Sequence, residues 1–217
     1  LKTKIIGTII AITIIIASAT YVSGDISRGG YASPISCAQV DCEAAYKLFM
    51  KTNNPYLTDA EIREILTAIN KNAPKYFGTG TTLEIGKEMT LAIIAVESSF
   101  KTDPGDAGLA HKYMQIHNSA ATETIEYHKF IRKYDLNNTD HNIDLGMAYI
   151  RLLLDTYNDR WKPAILAYNK GPRSVNKLIA SKRINSYGGY WHKVWTKKYD
   201  IHWDKGTIFR KGEKNNS

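Results

Sequence analysis

Cysteine is scarce in this chain. Among 217 residues there are two, Cys37 and Cys42, close together in SCAQVDC. Two thiols alone make a poor metal site, and no zinc-finger spacing is present. In an oxidising compartment the pair would close a small disulfide loop; in a reducing one it would stay as two free thiols. The six histidines are scattered at positions 111, 117, 128, 141, 192 and 202, without an H-E-x-x-H or other tight set. No metal and no cofactor are expected. No long Lys/Arg block occurs, so nucleic-acid binding is not expected either. Internal repeats and low-complexity segments are lacking, which excludes a repeat array. Alternating apolar and polar residues are confined to short stretches, which excludes a large half-buried sheet. What remains is a mainly α reading.

Hydrophobic residues make up 43% of the chain, a globular composition. The formal net charge is +8, a balance that attracts anionic polymers and surfaces. Lys2 and Lys4 precede the uncharged run from Ile5 to Val22. A basic start followed by a long apolar run is an export signal. Ala17-Ser18-Ala19 fits a cleavage site, whereas the length of the run suits an uncleaved anchor with its basic end inside. Residues 1–23 are therefore a signal peptide or signal anchor. Export across a bacterial inner membrane follows, to the periplasm or the outer face of that membrane, anchored or released by signal cleavage.

Residues 24–56 read as a tether carrying Cys37 and Cys42, with a short helix over 43–51. Thr58 followed by Glu61 is a capping box, with Leu57 as the staple residue. Ile62, Ile65, Leu66 and Ile69 continue at helical spacing, and Pro74 with Gly78–Gly80 is expected to end that helix. Further helices are expected over Leu83–Ser98, Ser119–Arg132, a long segment following Asn142, Trp161–Tyr168 and Ser174–Ala180. The folded domain is placed at 57–204, and 205–217 reads as a polar, frayed tail.

Glu97 breaks the local pattern. It closes the apolar helix TLAIIAVE, between Val96 and Phe100 and one turn from Ile93 and Ile94. A helix C-terminus disfavours an anion. Burial against apolar groups raises a carboxyl pKa and keeps its proton available near neutral pH, as a general acid requires. A surface glutamate is the plain alternative on pattern alone.

Five stretches carry more. They are Glu97-Ser98-Ser99-Phe100; Met114-Gln115-Ile116, with Gln115 eighteen residues after Glu97; Asn142-Ile143-Asp144-Leu145-Gly146; Ala167-Tyr168-Asn169-Lys170-Gly171-Pro172; and, more weakly, Tyr190 with Val194 and Tyr199. In this order they resemble the catalytic domain of the soluble lytic transglycosylase family, within the lysozyme-like superfamily, over about residues 83–200. The resemblance implies a mainly α, lysozyme-like fold. It also implies non-hydrolytic cleavage of the β-1,4 bond between N-acetylmuramic acid and N-acetylglucosamine in peptidoglycan, leaving 1,6-anhydromuramoyl ends. Glu97 would be acid and then base. Ser98, Gln115, Asn169 and Tyr190 would bind the sugar or orient Glu97, and Tyr113, Met114 and Tyr168 would wall the groove. Core packing is the plain alternative for Tyr168.

The chain departs from the family where Lys112 and Tyr113 replace Gly-Leu before Met114. Lys112 is expected to lose the φ > 0 conformation that glycine allows. A hydrolytic muramidase on the same fold would need a second carboxylate, Asp103, Asp106 or Asp144. A catalytically weak glycan-binding module is the other alternative. Peptidoglycan glycan strands are the expected partner, and a secretion, conjugation or cell-envelope machine is a compatible setting.

Overall fold

Thr58 sets the first long helix. Its hydroxyl accepts from the Glu61 amide at 3.2 Å, and the Glu61 carboxylate accepts from the Thr58 amide at 2.7 Å, so two otherwise unpaired amides are satisfied reciprocally. Leu57 and Ile62, on either side of this cap, are both buried in one core cluster. The computed structural model describes residues 41–103, 108–129, 131 and 134–215. The Ile5–Val22 run and Cys37 lie outside these residues. Among the described residues no helix is long and apolar enough to cross a membrane.

In chain order the helices are α1 (Cys42–Asn53), α2 (Asp59–Phe77), α3 (Gly80–Glu97), α4 (Asn118–Tyr127), α5 (Thr139–Thr156), α6 (Trp161–Lys170), α7 (Pro172–Ala180) and α8 (Gly189–Asn215). A two-residue antiparallel hairpin precedes α4: β1 (Ala110–His111) pairs with β2 (Ile116–His117), Ala110 opposite His117. Helix α3 is central. Its residues from Glu88 to Ala95 are buried without a break, the mark of a helix covered on all faces. Helix α2 packs against α3 and α5, and α8 packs against α3, α1 and α6.

Four expectations need correction. Pro74 does not end α2. The helix runs three residues further, because Tyr76 and Phe77 are buried and the Tyr76 hydroxyl donates to Asp144 at 2.9 Å, outweighing the lost amide hydrogen bond; it ends at Gly78, φ 70°, the first residue of the expected Gly78–Gly80 stop. The short helix expected over 43–51 is α1, but it belongs to the folded domain and not to a tether, since Phe49 and Met50 on it are fully buried. The long helix begins at Thr139 with Asn138 as its cap, so Asn142 lies inside it. Residues from Lys205 onward continue α8 to Asn215, and Lys205 itself is 1% exposed. Its ammonium meets Glu88 at 2.6 Å, a partner that local sequence does not reveal.

Gly146 sits where α5 meets the hairpin segment. A Cβ there would lie 2.5 Å from Met114 Cε and 2.8 Å from its Cγ. Gly146→Ala adds helix propensity of about 1 kcal/mol but overpacks this contact, at a cost of about 1–3 kcal/mol. The variant is expected to be less stable than wild type in urea titration. A midpoint at or above wild type would show that Met114 can yield at no cost.

Candidate active site

Glu97 is the last residue of α3, and the chain turns sharply beyond it. Ser99 (φ 50°) and Phe100 (φ 58°) both adopt the left-handed region, which side chains other than glycine rarely enter. The turn is held by Phe100, 1% exposed, whose ring meets Phe49 edge-on at 6.0 Å. Asn54 Nδ2 donates to the Phe100 carbonyl at 3.4 Å, so α1 and the loop after it brace the residues that follow Glu97.

Burial pushes the Glu97 carboxyl above the ordinary carboxylate range. Two groups oppose that rise without cancelling it: the Tyr190 hydroxyl, which donates to Glu97 Oε1, and the charge of His117. Tyr190 lies in the first turn of α8, so this hydrogen bond joins two helices far apart in sequence. Burial and the nearby Glu97 carboxylate raise the Tyr190 hydroxyl well above its usual value. It stays a donor across the working pH range. Tyr168 on α6 is raised by the same two causes in the same order, and its hydroxyl donates to the Met114 carbonyl at 2.8 Å.

Beside this group lies a cleft of about 170 Å³ lined by Gln115, Ile116, His117, Ser119, Ala120, Tyr149, Tyr168, Asn169 and Gly171. His117 and Tyr168 therefore face both the cleft and Glu97 electrostatically. Asn169 is exposed on the cleft wall, and Tyr149 and Tyr168 place their rings 5.5 Å apart. The Gln115 amide braces the loop, donating to the Lys112 carbonyl at 2.6 Å and the Asp103 carbonyl at 3.0 Å. The Ser98 hydroxyl returns to the Ile94 carbonyl at 3.1 Å, sealing the end of α3.

Two expected wall residues are elsewhere. Met114 is fully buried against Gly146. Tyr113 is 1% exposed, and burial, with Glu61 and Glu64 of α2 as lesser contributions, pushes its hydroxyl up to about 12. Both side chains turn into the core, because the hairpin segment is anchored through its backbone. Asn142 Oδ1 accepts from the Met114 amide at 3.0 Å, and Asn142 Nδ2 donates to the His111 carbonyl at 2.9 Å. Lys112 adopts φ 51°, so the lysine takes the left-handed conformation it was expected to lose. Its ammonium donates to the Asn137 carbonyl at 2.8 Å and offsets part of the strain of about 1–2 kcal/mol.

Sequence reasoning missed His117, Tyr149 and Asn142 as parts of this region. His117 ends the two-residue strand β2, and the bracing role of Asn142 rests on partners 28 and 31 positions away, which its place in the Asn142–Gly146 stretch does not reveal. Of the alternative carboxylates, Asp144 is committed to Tyr76 at 2.9 Å and Lys75 at 3.2 Å on the α2 face. Asp103 is exposed. Asp106 lies outside the described residues. No group of three or more metal-binding side chains occurs among the described residues.

A helical domain with a half-buried carboxyl at the end of its central helix, beside an aromatic and amide-lined cleft, is of the lysozyme-like class. The family model for the transglycosylase SLT domain matches residues 77–188, just over half of the 217-residue chain, and the chain belongs to that family. It is an enzyme of lytic-transglycosylase chemistry acting on peptidoglycan. No curated protein matches it. Helix α1, nearly all of α2 and the whole of α8, with Tyr190, lie outside the matched range.

Removing Asn142 isolates the buried Met114 amide. Asn142→Ala is expected to lose about 1–3 kcal/mol of stability. Protease cutting at the 108–117 segment should rise with it. Wild-type stability and protection together would show that the hairpin is held by other contacts.

Proposed function

We propose that Glu97 is the acid and base of the glycan cleavage. The observation that carries this reading is the Glu97 carboxyl, half-buried at the end of α3, raised by burial and drawn part of the way back by the Tyr190 hydroxyl and by His117, which lines the cleft. Protonated Glu97 gives its proton to the oxygen between N-acetylmuramic acid and N-acetylglucosamine, and that bond breaks as C1 gains oxocarbenium character. The Glu97 carboxylate then takes the proton of the muramoyl C6 hydroxyl. The freed oxygen closes on C1, and the product is a 1,6-anhydro end with no water added. Glu97 returns to its protonated state, so protons and electrons balance.

Tyr190 serves the second half of this cycle. Its hydroxyl stabilises the carboxylate and returns the pKa of Glu97 part of the way down, so the base can form. Gln115 acts through the loop and Asn169 through the exposed cleft wall, where its amide is placed to meet sugar substituents. Ser98 fixes the end of α3. The reading needs no second carboxylate, which agrees with Asp144 being committed elsewhere.

Export completes the proposal. The Ile5–Val22 run carries the chain across the membrane that separates synthesis from peptidoglycan, as a cleaved signal or an anchor. Cys42 is disulfide-bonded, a state that persists in oxidising compartments, and Cys37 is the partner we assign to it. A tethered lytic enzyme suits a machine that must open the wall locally, such as a secretion or conjugation apparatus.

The test is the product. Digestion of peptidoglycan by the purified protein, read by mass spectrometry, is expected to give ends lighter by one water than reducing ends. Glu97→Gln should lower turnover by about 10²–10⁴-fold. Reducing ends would move the chemistry to hydrolysis, and an active Glu97→Gln would remove Glu97 from it. The pH profile has a definite sign. Glu97 must be protonated to begin, so activity falls as pH rises through its elevated pKa. Stability has the same sign. The folded state holds this proton more tightly than the unfolded chain, so Glu97 favours folding at low pH, and that contribution is lost as pH rises through the ordinary carboxyl range and beyond. Glu97→Gln should therefore be more stable than wild type at neutral pH.

A further inference from the structure

The glycan chemistry leaves one buried charged cluster unused. Glu88 is 5% exposed and lies nine residues before Glu97 on α3. One of its oxygens meets Lys205 Nζ at 2.6 Å, and the other meets Lys198 Nζ at 3.0 Å. Both lysines are on α8, the helix that carries Tyr190. Lys205 is 1% exposed, and its ammonium also stands 5.6 Å from the ring centre of Tyr46 on α1. Burial alone would raise the Glu88 carboxyl, but the two lysines outweigh it and hold it below the ordinary range. It is a charged group in the core at working pH.

Such a cluster is a costly way to hold two helices together. Apolar residues of the same volume would give equal or greater stability, because the dehydration of the ions consumes much of their attraction. What ions supply and apolar contacts do not is register: an ammonium seated on a carboxylate cannot slide or rotate without exposing an unpaired charge. Here the register joins the same two helices that must bring Glu97 and Tyr190 into hydrogen-bond contact. Lys198 and Lys205 are seven residues apart, two turns on one face of α8, so the two ion pairs fix both its rotation and its height on α3.

We propose that Glu88, Lys198 and Lys205 are positioning residues, which lock α8 onto α3 so that the Tyr190 hydroxyl meets Glu97. The proposal rests on Glu97 and Tyr190 acting as described above. It assigns catalytic importance to the far part of α8, beyond the matched family range. Around Glu97 the groups that face it are Tyr190 from α8, Tyr168 from α6 and His117 from the hairpin. The cluster acts through the seating of α8.

The experiment separates register from stability. Glu88→Leu combined with Lys205→Met keeps the volume and removes the buried pair, and Lys198→Met in the same variant leaves no ammonium without its carboxylate. Tyr190→Phe and Glu97→Gln are measured beside it in the full chain, on a soluble glycan strand, with thermal unfolding as control. The apolar pair variant is expected to melt at or above the wild-type temperature. Its kcat should fall about 10- to 100-fold, the loss of one hydrogen bond to an ionised group, with little change in KM. Its alkaline limb should move to higher pH, as in Tyr190→Phe, and adding Tyr190→Phe should cost nothing more.

A stable pair variant with wild-type kcat and pH profile overturns the proposal, because the cluster would then be structural only. If the pair variant does not fold, Lys198→Met decides. That change leaves the fully buried pair in place and should show a several-fold loss with the same shift of the limb; a wild-type Lys198→Met overturns the proposal. An active Glu97→Gln fails the underlying reading itself, and the proposal falls with it for that separate reason.

Discussion

Helix α3 is covered on every side along its middle and yet ends in a half-buried carboxyl, and the docking of α8 is what reconciles the two. From Glu88 to Ala95 the helix is closed off from water. Its cover comes from α2 on one side and from α8 on another. Apolar contact alone would let α8 settle in several neighbouring positions, since dispersion is short in range and weak in direction. The ion pairs from Glu88 to Lys198 and Lys205 remove that freedom, because breaking one strands a charge in the core at a cost of about 3–5 kcal/mol. The geometry at Glu97 thus depends on a contact more than two helical turns away from it.

At the site itself three influences are balanced. Burial raises Glu97, and the Tyr190 hydroxyl and the His117 charge lower it. If burial acted alone, the carboxyl would hold its proton too firmly to serve as a base afterwards. If the hydrogen bond and charge prevailed, the proton would be gone before the glycosidic oxygen needed it. In the proposed cycle Glu97 is acid and then base, a role that needs an intermediate position. The same burial makes the site a cost to the fold above the ordinary carboxyl range. The turn after Glu97 adds to that cost through two side chains in the left-handed region, and it persists because Phe100 and Asn54 hold it from the α1 side.

Much of this was legible in the sequence wherever the cause was local. The Thr58–Glu61 cap, the spacing of Ile62, Ile65, Leu66 and Ile69, and the anomaly of a glutamate ending an apolar helix all follow from residues within a few positions of one another. The failures share the opposite property. Lys205 reads as part of a polar tail because its partner Glu88 is 117 residues earlier. Asn142 reads as a helix start because its hydrogen bonds reach across to the hairpin. Pro74 reads as a stop because the burial of Tyr76 and Phe77 that overrides it is tertiary. Met114 and Tyr113 read as groove walls because a motif names residues without saying which way a side chain turns.

Lys112 shows how such distant contacts can preserve a backbone that the local residue disfavours. Glycine enters the left-handed region freely, and lysine does so only under constraint. Here the constraints are visible. The Lys112 carbonyl accepts from the Gln115 side chain, its ammonium reaches the Asn137 carbonyl, and the following Met114 amide is tied to Asn142. Tyr113, buried beside them, fixes the segment from the core side. With four anchors on Lys112, Tyr113 and Met114, the loop no longer needs a glycine to take its shape. Gln115 and His117 keep their places on the cleft, and the substitution exchanges intrinsic freedom for imposed order. The same logic governs α8: where a sequence gives up the residue that would adopt a geometry unaided, hydrogen bonds and ion pairs from remote elements must impose it.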